Sequence, residues 1–380
     1  MESQNHCSSS LHFSKRSQNS VTMPHLPNEI ILEILSLLPV KSLMRFKCVC
    51  KSWRLMISDP EFAKKQLNVA TKESGKLDNL RLILHSPYLR IKSCSLPSLF
   101  YEPFGYSINH DYPGRDLGVI NEIVGCYNGL VCISIRDMEK DTIFVWNPSI
   151  KESKRLPSKP FEQLFYLVSY AFGYDSITDD YKVVRLVCCS IDDSYEYHVE
   201  VFSLRSNAWR KIRSFPYFLF TDEAGKHVNG SINWAVSRDK NNDHWFIASL
   251  DLATESYQVV PQPDCANETL KPIIRVLGGQ FCIIFEYDDI IDVWVMQEYG
   301  VKESWSKLVT VPFFSDPLDA NYAKPLFYLK EGAILIDFYG MLILYNFNRN
   351  ESTSPMIYGV HHYHEVEVYL ESMVSPNSYN

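Results

Sequence analysis

One pattern recurs along most of this chain: a β-rich strand closes in a polar turn, a short second strand follows, and the unit often finishes near proline. It is written as YLRIK ending at Pro97, as IFVWNPSIKESKRLP from Ile143, as VEVFSLRSNAWRKIRSFP from Val199, as IASLDLATESYQVVPQP from Ile247, and as IDVWVMQEYGVKESWSKLVTVP from Ile291. A last copy, LILYNFNRN from Leu342, is continued by PMIYGV. Aligning the first strand of each copy gives anchors at Ile91, Trp146, Phe202, Leu250, Trp294 and Tyr345, spaced 55, 56, 48, 44 and 51 residues apart. A repeat near 50 residues with four short strands per unit is the sequence signature of a propeller blade. Further strand candidates lie between the copies at 129–133, 181–187, 231–236, 280–285 and 333–337, each behind a glycine or polar turn. Asn128-Gly129 is a favoured hairpin turn pair, because both positions tolerate positive φ. The chain is therefore predicted to be mainly β, with about six blades. The alternating EVEVYL at 365–370 returns to the first blade and closes the ring, which removes the exposed sheet edges. A two-sheet sandwich is the alternative. Trp146, Trp209, Trp294 and Trp305 are read as blade-core or blade-interface residues.

Residues 24–67 break this pattern. Ile30, Ile31, Ile34, Leu35 and Leu38 follow helical spacing, with Asn28 as the expected cap. Pro39 ends that helix, because proline supplies no backbone donor. Short helices are predicted over 42–48 and 51–57, and Pro60 starts a fourth. Eleven large apolar residues crowd into about 40 positions, a unit too small to bury them all alone. Part of that set is expected to face a partner protein as a contiguous apolar patch. The alternative is a helical cap packed on the rest of the chain.

Charge is divided unevenly between the two regions. Residues 24–66 hold seven Lys/Arg against four Asp/Glu, whereas 67–380 hold 28 against 40. The whole chain carries a formal charge of −8, which argues against nucleic-acid binding, where phosphate contacts need a basic surface. A basic module of this kind would be steered toward an acidic partner. No run approaches membrane-spanning length, and residues 1–22 contain no signal-like apolar core and read as a disordered tail. The ten cysteines form no disulfide framework; Cys126, Cys132, Cys188 and Cys282 sit in apolar runs as reduced thiols. A cytoplasmic or nuclear home is expected.

The helical stretch resembles the plant F-box. The resemblance is carried by Leu26-Pro27, Glu33-Ile34-Leu35, Leu38-Pro39, Lys41-Ser42-Leu43, Arg45-Phe46, Val49-Cys50-Lys51-Ser52-Trp53 and Ile57-Ser58-Asp59-Pro60-Glu61-Phe62. It implies docking on the Skp-type adaptor of a cullin–RING ubiquitin ligase. Carried over residue by residue, the adaptor contacts are Leu26, Pro27, Ile30, Leu35, Leu38, Pro39, Leu43, Phe46, Val49, Cys50 and Trp53. The repeat region resembles the plant F-box-associated domain through GCYNGLVC at 125–132, Trp146-Asn147-Pro148, FGYD at 172–175, DDYKVV at 179–184, VEVFSL at 199–204, Asn207-Ala208-Trp209-Arg210, Asn229-Gly230, LDL at 250–252, Leu277-Gly278-Gly279, and Trp294-Val295-Met296 with EYGVKESW at 298–305. Kelch blades repeat a double glycine, and Gly278-Gly279 is the single such pair here. Domain limits follow as a tail at 1–22, an F-box module at 24–67, a linker at 68–79, the β domain at 80–371 and a tail at 372–380. The LPNE start and VCKSW segment resemble the general or immune-regulator branch of the family.

Catalytic signatures are missing: there is no nucleophile elbow, phosphate loop or metalloprotease helix. His361, His362 and His364 form the one dense histidine run, read as a solvated loop rather than a metal site, and no cofactor is expected. The resemblance implies a non-catalytic substrate receptor that binds the adaptor through the helices and an unidentified target protein through the β domain. A non-degradative scaffold or inhibitor, which binds a partner without promoting its turnover, is the alternative. Candidate target loops are 100–116, 161–168, 191–197, 221–228 and 314–324, with aromatic anchors in 100–112 and 313–328.

Overall fold

The second strand of each β unit is apolar on both faces, and this sets the architecture. Ser231–Ser237 is buried throughout, and along Gln280–Glu286 the side chains alternate between two cores. Phe281, Ile283 and Phe285 join one cluster, and Cys282 and Ile284 join the next. A strand buried on both faces needs a sheet on each side, and a closed ring of sheets gives this to every unit.

The computed structural model describes residues 26–378, except 73–76, 86–90, 103, 118–119, 137–139, 161–164, 192–193, 220–222, 239–243, 265–271, 288, 313–322 and 339. The expected tail at 1–22 lies outside the described residues. Six sheets, antiparallel but for one short outer strand, form a six-bladed β-propeller. Blade 2 contains Ile120–Tyr127, Leu130–Arg136, Lys140–Asn147 and Glu152–Arg155. Blade 3 contains Phe165–Asp175, Asp180–Ile191, Ser194–Ser203 and Ala208–Phe215. In blade 4, Lys226–Val228 and Phe218–Leu219 share one side of Ser231–Ser237, and Trp245–Asp251 and Tyr257–Val260 follow on the other. Blade 5 is built from Ile273–Leu277, Gln280–Glu286, Ile290–Met296 and Trp305–Pro312, and blade 6 from Ala323–Leu329, Ala333–Phe338, Met341–Asn346 and Glu351–Thr353.

Blade 1 joins the two ends of the ring. Glu365–Leu370 pairs with Leu80–His85 over six residues, as the alternating pattern predicts, and Lys92–Ser95 and Phe104–Asn109 complete the meander. The short strand Met356–Tyr358 adds a parallel outer edge. Between Lys92–Ser95 and Phe104–Asn109 the chain makes a helix, Leu96–Tyr101, with Pro97 in its first turn. Residues 88–90 of the expected first copy lie outside the described residues, and where that copy was to close, at Pro97, the chain is helical rather than a hairpin. Proline at a helix start loses no bond, so it fails to mark the strand end that it marks elsewhere.

Six hydrophobic clusters seal the six joints between neighbouring blades. The anchors read from the sequence lie on or immediately before the third strand of each blade, so the repeat legible in sequence is the outer hairpin. Its turn explains why it recurs. Asn147, Ser203, Asp251 and Asn346 each turn a side-chain oxygen back to accept a backbone N–H two or three residues on. Four residues after each, Lys151, Asn207, Glu255 and Asn350 adopt φ between 53° and 61°, the left-handed conformation that ends such turns. The hairpins at Asn128-Gly129, Asn229-Gly230 and Gly278-Gly279 use positive φ at both positions, as expected for tight antiparallel turns.

Two tryptophans tie blade to blade. Trp209 Nε1–H donates to the Pro157 carbonyl of blade 2, and Trp305 Nε1–H to the Pro261 carbonyl that follows blade 4, each at 2.9 Å. Trp146 is buried between blades 1 and 2.

Candidate adaptor-binding and target-binding surfaces

The helical region consists of α1 (Asn28–Ser36), α2 (Val40–Phe46), α3 (Lys51–Ser58) and α4 (Pro60–Lys72). Asn28 is the first helical residue rather than the cap. Pro27 occupies the cap position and makes no side-chain cap bond. Pro39 caps α2, and α1 has already ended at Ser36. Cys50 caps α3, its sulfur accepting the Trp53 N–H at 3.5 Å. At either end of the expected linker the chain is ordered: α4 runs to Lys72, and Leu77 sits in the blade 6–blade 1 core; residues 73–76 lie outside the described residues.

Leu35, Val40, Leu43, Ile57, Phe62 and Ala63 make the module's core, and Ile150 and Met373 from the β domain complete it. Leu35 and Leu43 retain 1% and 0% of their exposure, so these two members of the expected contact set face inward and hold the helices together. Leu38, Phe46 and Trp53 are half-buried around that core, with the Phe46 and Trp53 rings 5.4 Å apart. Leu26, Pro27, Ile30, Pro39, Val49 and Cys50 lie on the surface. Three further apolar side chains join them there: Ile34, Leu37 at 66% exposure and Leu55 at 74%. The i, i+4 spacing of Ile30 and Ile34 puts both on one face of α1, a signal present in the sequence but not separable from core spacing without the fold. Lys41 and Arg45 on α2 and Lys51 and Arg54 on α3 are exposed as well, as are Glu29 and Glu33 on α1.

The C-terminal segment is no free tail. Ser372, Met373 and Val374 are buried. Asn147 Nδ2 donates to the Ser372 and Val374 carbonyls at 3.0 and 2.8 Å, and Ser372 Oγ donates to the Asn128 carbonyl at 2.7 Å. The strand that closes the ring thus continues as a strap across two turns of blade 2 and inserts Met373 into the helical core. On α4, Lys64 Nζ lies 2.8 Å from Asp179 Oδ2 in the first turn of blade 3. The Asp179 carboxylate, helped by Glu61, holds the Lys64 ammonium above its ordinary pKa. Burial pushes Asp179 up, but Lys64 and the Tyr174 hydroxyl outweigh it and its pKa is lowered.

Hairpin order fixes which loops share a face. The first and third turns of each blade lie on the face that carries the module, and the other connections emerge opposite. Of the expected target loops, 161–168, 191–197, 221–228 and 314–324 belong to connections on the opposite face, although 161–164, 192–193, 221–222 and 314–322 lie outside the described residues. The loop expected at 100–116 divides between both faces, because Phe104–Asn109 is a strand of blade 1.

The carboxylates conspicuous in the sequence are structural. Asp175 accepts from Lys182 Nζ at 2.8 Å and from Thr178 and Ile177, and Lys182 also donates to the Leu252 carbonyl of blade 4. Burial raises the Asp175 pKa, these donors outweigh it, and the result is about 2. Arg185 and Lys159 both pair with Glu200 at 2.9 Å. His361, His362 and His364 are exposed on the connection into Glu365–Leu370. Among the described residues no three His, Cys, Asp or Glu side chains come together as metal ligands.

A helical module displaying apolar side chains, seated on a closed six-bladed ring, defines an F-box-type architecture. Residues 107–377 match the family of the F-box associated beta propeller domain, and residues 23–67 match the F-box-like family. The chain belongs to the F-box proteins with this β domain. It is 34% identical to an F-box/kelch-repeat protein of Arabidopsis thaliana over 93% of this chain and 97% of that one. It is 31% identical to the Arabidopsis thaliana F-box protein CPR1 over 81% of this chain and 78% of that one.

Proposed function

We propose that this protein is the substrate-recognition subunit of a Skp–cullin–F-box ubiquitin ligase. Its helices dock on the adaptor, and the propeller face opposite the module presents a target protein for ubiquitination. The observation that carries the reading is the set of exposed apolar side chains Leu26, Ile30, Ile34, Leu37, Val49 and Leu55 on a module matching the F-box-like family. Large apolar side chains left in water on a small helical unit suit a protein interface. The rigid ring supports the second half, since loops on a fixed scaffold are where specificity is built. The Leu26-Pro27-Asn28-Glu29 start and the Val49–Trp53 segment are what favour the general or immune-regulator branch.

The test is co-purification from plant extract with the proteasome blocked, using the intact chain and the double variant Ile30→Asp/Ile34→Asp. The intact chain is expected to recover adaptor and cullin, and the variant to lose both while keeping the target. Failure of the intact, folded chain to recover the adaptor overturns the reading. A partner that binds both forms, but whose turnover ignores the protein, points instead to a non-degradative scaffold.

A further inference from the structure

The outer strand of a propeller blade is a sheet edge, and such an edge invites another chain unless charge, proline or brevity blunts it. Arg155, Arg210, Lys307 and Glu351 are exposed on the outer strands of blades 2, 3, 5 and 6. The outer strand of blade 4, Tyr257–Val260, leaves one large apolar side chain open, Val259. Blade 1 differs. Its two outer strands, Phe104–Asn109 and Met356–Tyr358, read FGYSIN and MIY and contain no charged residue.

Phe104, Tyr106 and Ile108 share one side of their strand, because side chains alternate with period two. The parallel register sets Met356 beside Phe104 and Tyr358 beside Tyr106, with the two tyrosine rings 6.1 Å apart. These five side chains are therefore neighbours on one face of the blade, and each is between 47% and 75% exposed. The other face of the same strands is sealed. Ile357 packs into the core between blades 6 and 1, and a side chain at Gly105 would meet Cys94 and Leu99. At about 200 Å² for a fully open side chain of this size, the exposed face offers roughly 600 Å² of mostly apolar surface.

We infer that this face is an interface between two copies of the chain, packed across a two-fold axis with the outer strands of one blade 1 against those of the other. Two such faces together bury about 1,200 Å², the lower end of the range for a specific, stable interface. The patch therefore suffices only if it is covered whole, by a surface of the same extent, and an isologous contact supplies that. Charge selects the same partner. Each copy carries a formal charge of −8, so two copies repel over most of their surfaces. On a face without charge they meet without bringing like charges together, and tyrosine and methionine are side chains that interfaces favour. This inference concerns the rim of blade 1 alone and stands whether or not the helices bind an adaptor.

The experiment is sedimentation velocity of the full-length chain from about 1 to 100 μM, which brackets the affinity expected of a small interface. The mass is expected to rise with concentration from 44.0 kDa to twice that value. Raising salt from about 0.05 to 0.5 M should tighten the dimer several-fold, because it screens the repulsion between the copies. Tyr106→Asp/Tyr358→Asp should weaken the dimer about 100-fold or more, and Val259→Asp on blade 4 should leave it unchanged. Thermal melting of each variant reports its fold. If the double variant does not fold, Met356→Glu decides, with an expected weakening of about tenfold. A chain that stays monomeric throughout overturns the proposal, as does a dimer indifferent to the blade 1 variants. A monomer whose double variant no longer recovers its target gives the face to that target instead. A monomer whose Tyr106 and Tyr358 are iodinated only once residues 1–25 are removed gives it to the chain's own N-terminal segment. Either result overturns the proposal.

Discussion

The helical module and the propeller use their apolar residues in opposite ways. Each blade is sealed on both faces by its neighbours, so a strand such as Ser231–Ser237 has no residue left outside. The module closes on six core side chains and borrows two more, Ile150 and Met373, from the β domain. Its surplus, from Leu26 to Leu55, stays in water. A ring reuses every sheet twice as packing surface, whereas four short helices have one inside and a large outside. Burial therefore divides the stability of this chain from its capacity to associate. The inward residues of the module keep it folded, and the outward ones are available to a partner.

Two substitutions on the module separate those roles. Leu43→Ala, at the centre of the core, should cost about 2–5 kcal/mol. It should melt the helices, read as lost helical circular dichroism, while the tryptophan fluorescence of the ring persists. If the ring melts with them, the module and propeller form one cooperative unit and the division fails. Ile34→Asp and Leu55→Asp should leave the fold within about 0.5 kcal/mol. Each is expected to weaken adaptor binding about tenfold or more, read by calorimetric titration, because a charge would enter an apolar contact. The larger of the two losses identifies whether α1 or α3 lies nearer the centre of the interface.

The same contrast decides what was legible in the sequence. Second and third strands were readable, because burial on two faces writes continuous apolar runs and their outer hairpins repeat one turn chemistry at Asn147, Ser203, Asp251 and Asn346. The innermost strands of blades 4 to 6 were not. Lys226, Arg275 and Lys324 interrupt their apolar pattern, and those charges make sense only along the channel on the ring axis, where Glu367 and Glu223 answer the first two. No local window reveals it. The strap at Ser372–Val374 was hidden for a related reason: its partners Asn128 and Asn147 lie more than two hundred residues away. In the module, the family resemblance marked the right helices, but apolar identity alone does not tell Leu35 and Leu43, which point in, from Ile34 and Leu37, which point out.

Within the ring, the polar hairpin of blade 3 offers a smaller effect with a defined pH signature. The folded Asp175 pKa of about 2 lies below its ordinary value of 3.8. The stabilisation is therefore fully present above about pH 4 and is lost as pH falls through about 2, to a total of about 2 kcal/mol. Asp175→Asn should be less stable than the parent at neutral pH, and the gap in urea midpoints should narrow by that amount on acidification. A gap independent of pH would mean that Asp175 acts through shape rather than charge.

The smallest expected effect lies where the two regions meet. Lys64 on α4 pairs with Asp179 on blade 3, but their side chains retain 45% and 31% of their exposure. A pair so open to water gains little, because solvent screens the attraction and holding two side chains costs entropy. Lys64→Met should therefore loosen the joint by less than about 1 kcal/mol, and salt near 1 M should erase the difference, since the Debye length there is about 3 Å. Hydrogen exchange along α4 at low and high salt reads this directly. Leu67, also on α4, packs with Val374 into the core between blades 2 and 3, and apolar burial of that kind is not screened. If Lys64→Met instead released α4 as fully as loss of Met373 would, an ion pair rather than the buried strap would be seating the module on the ring.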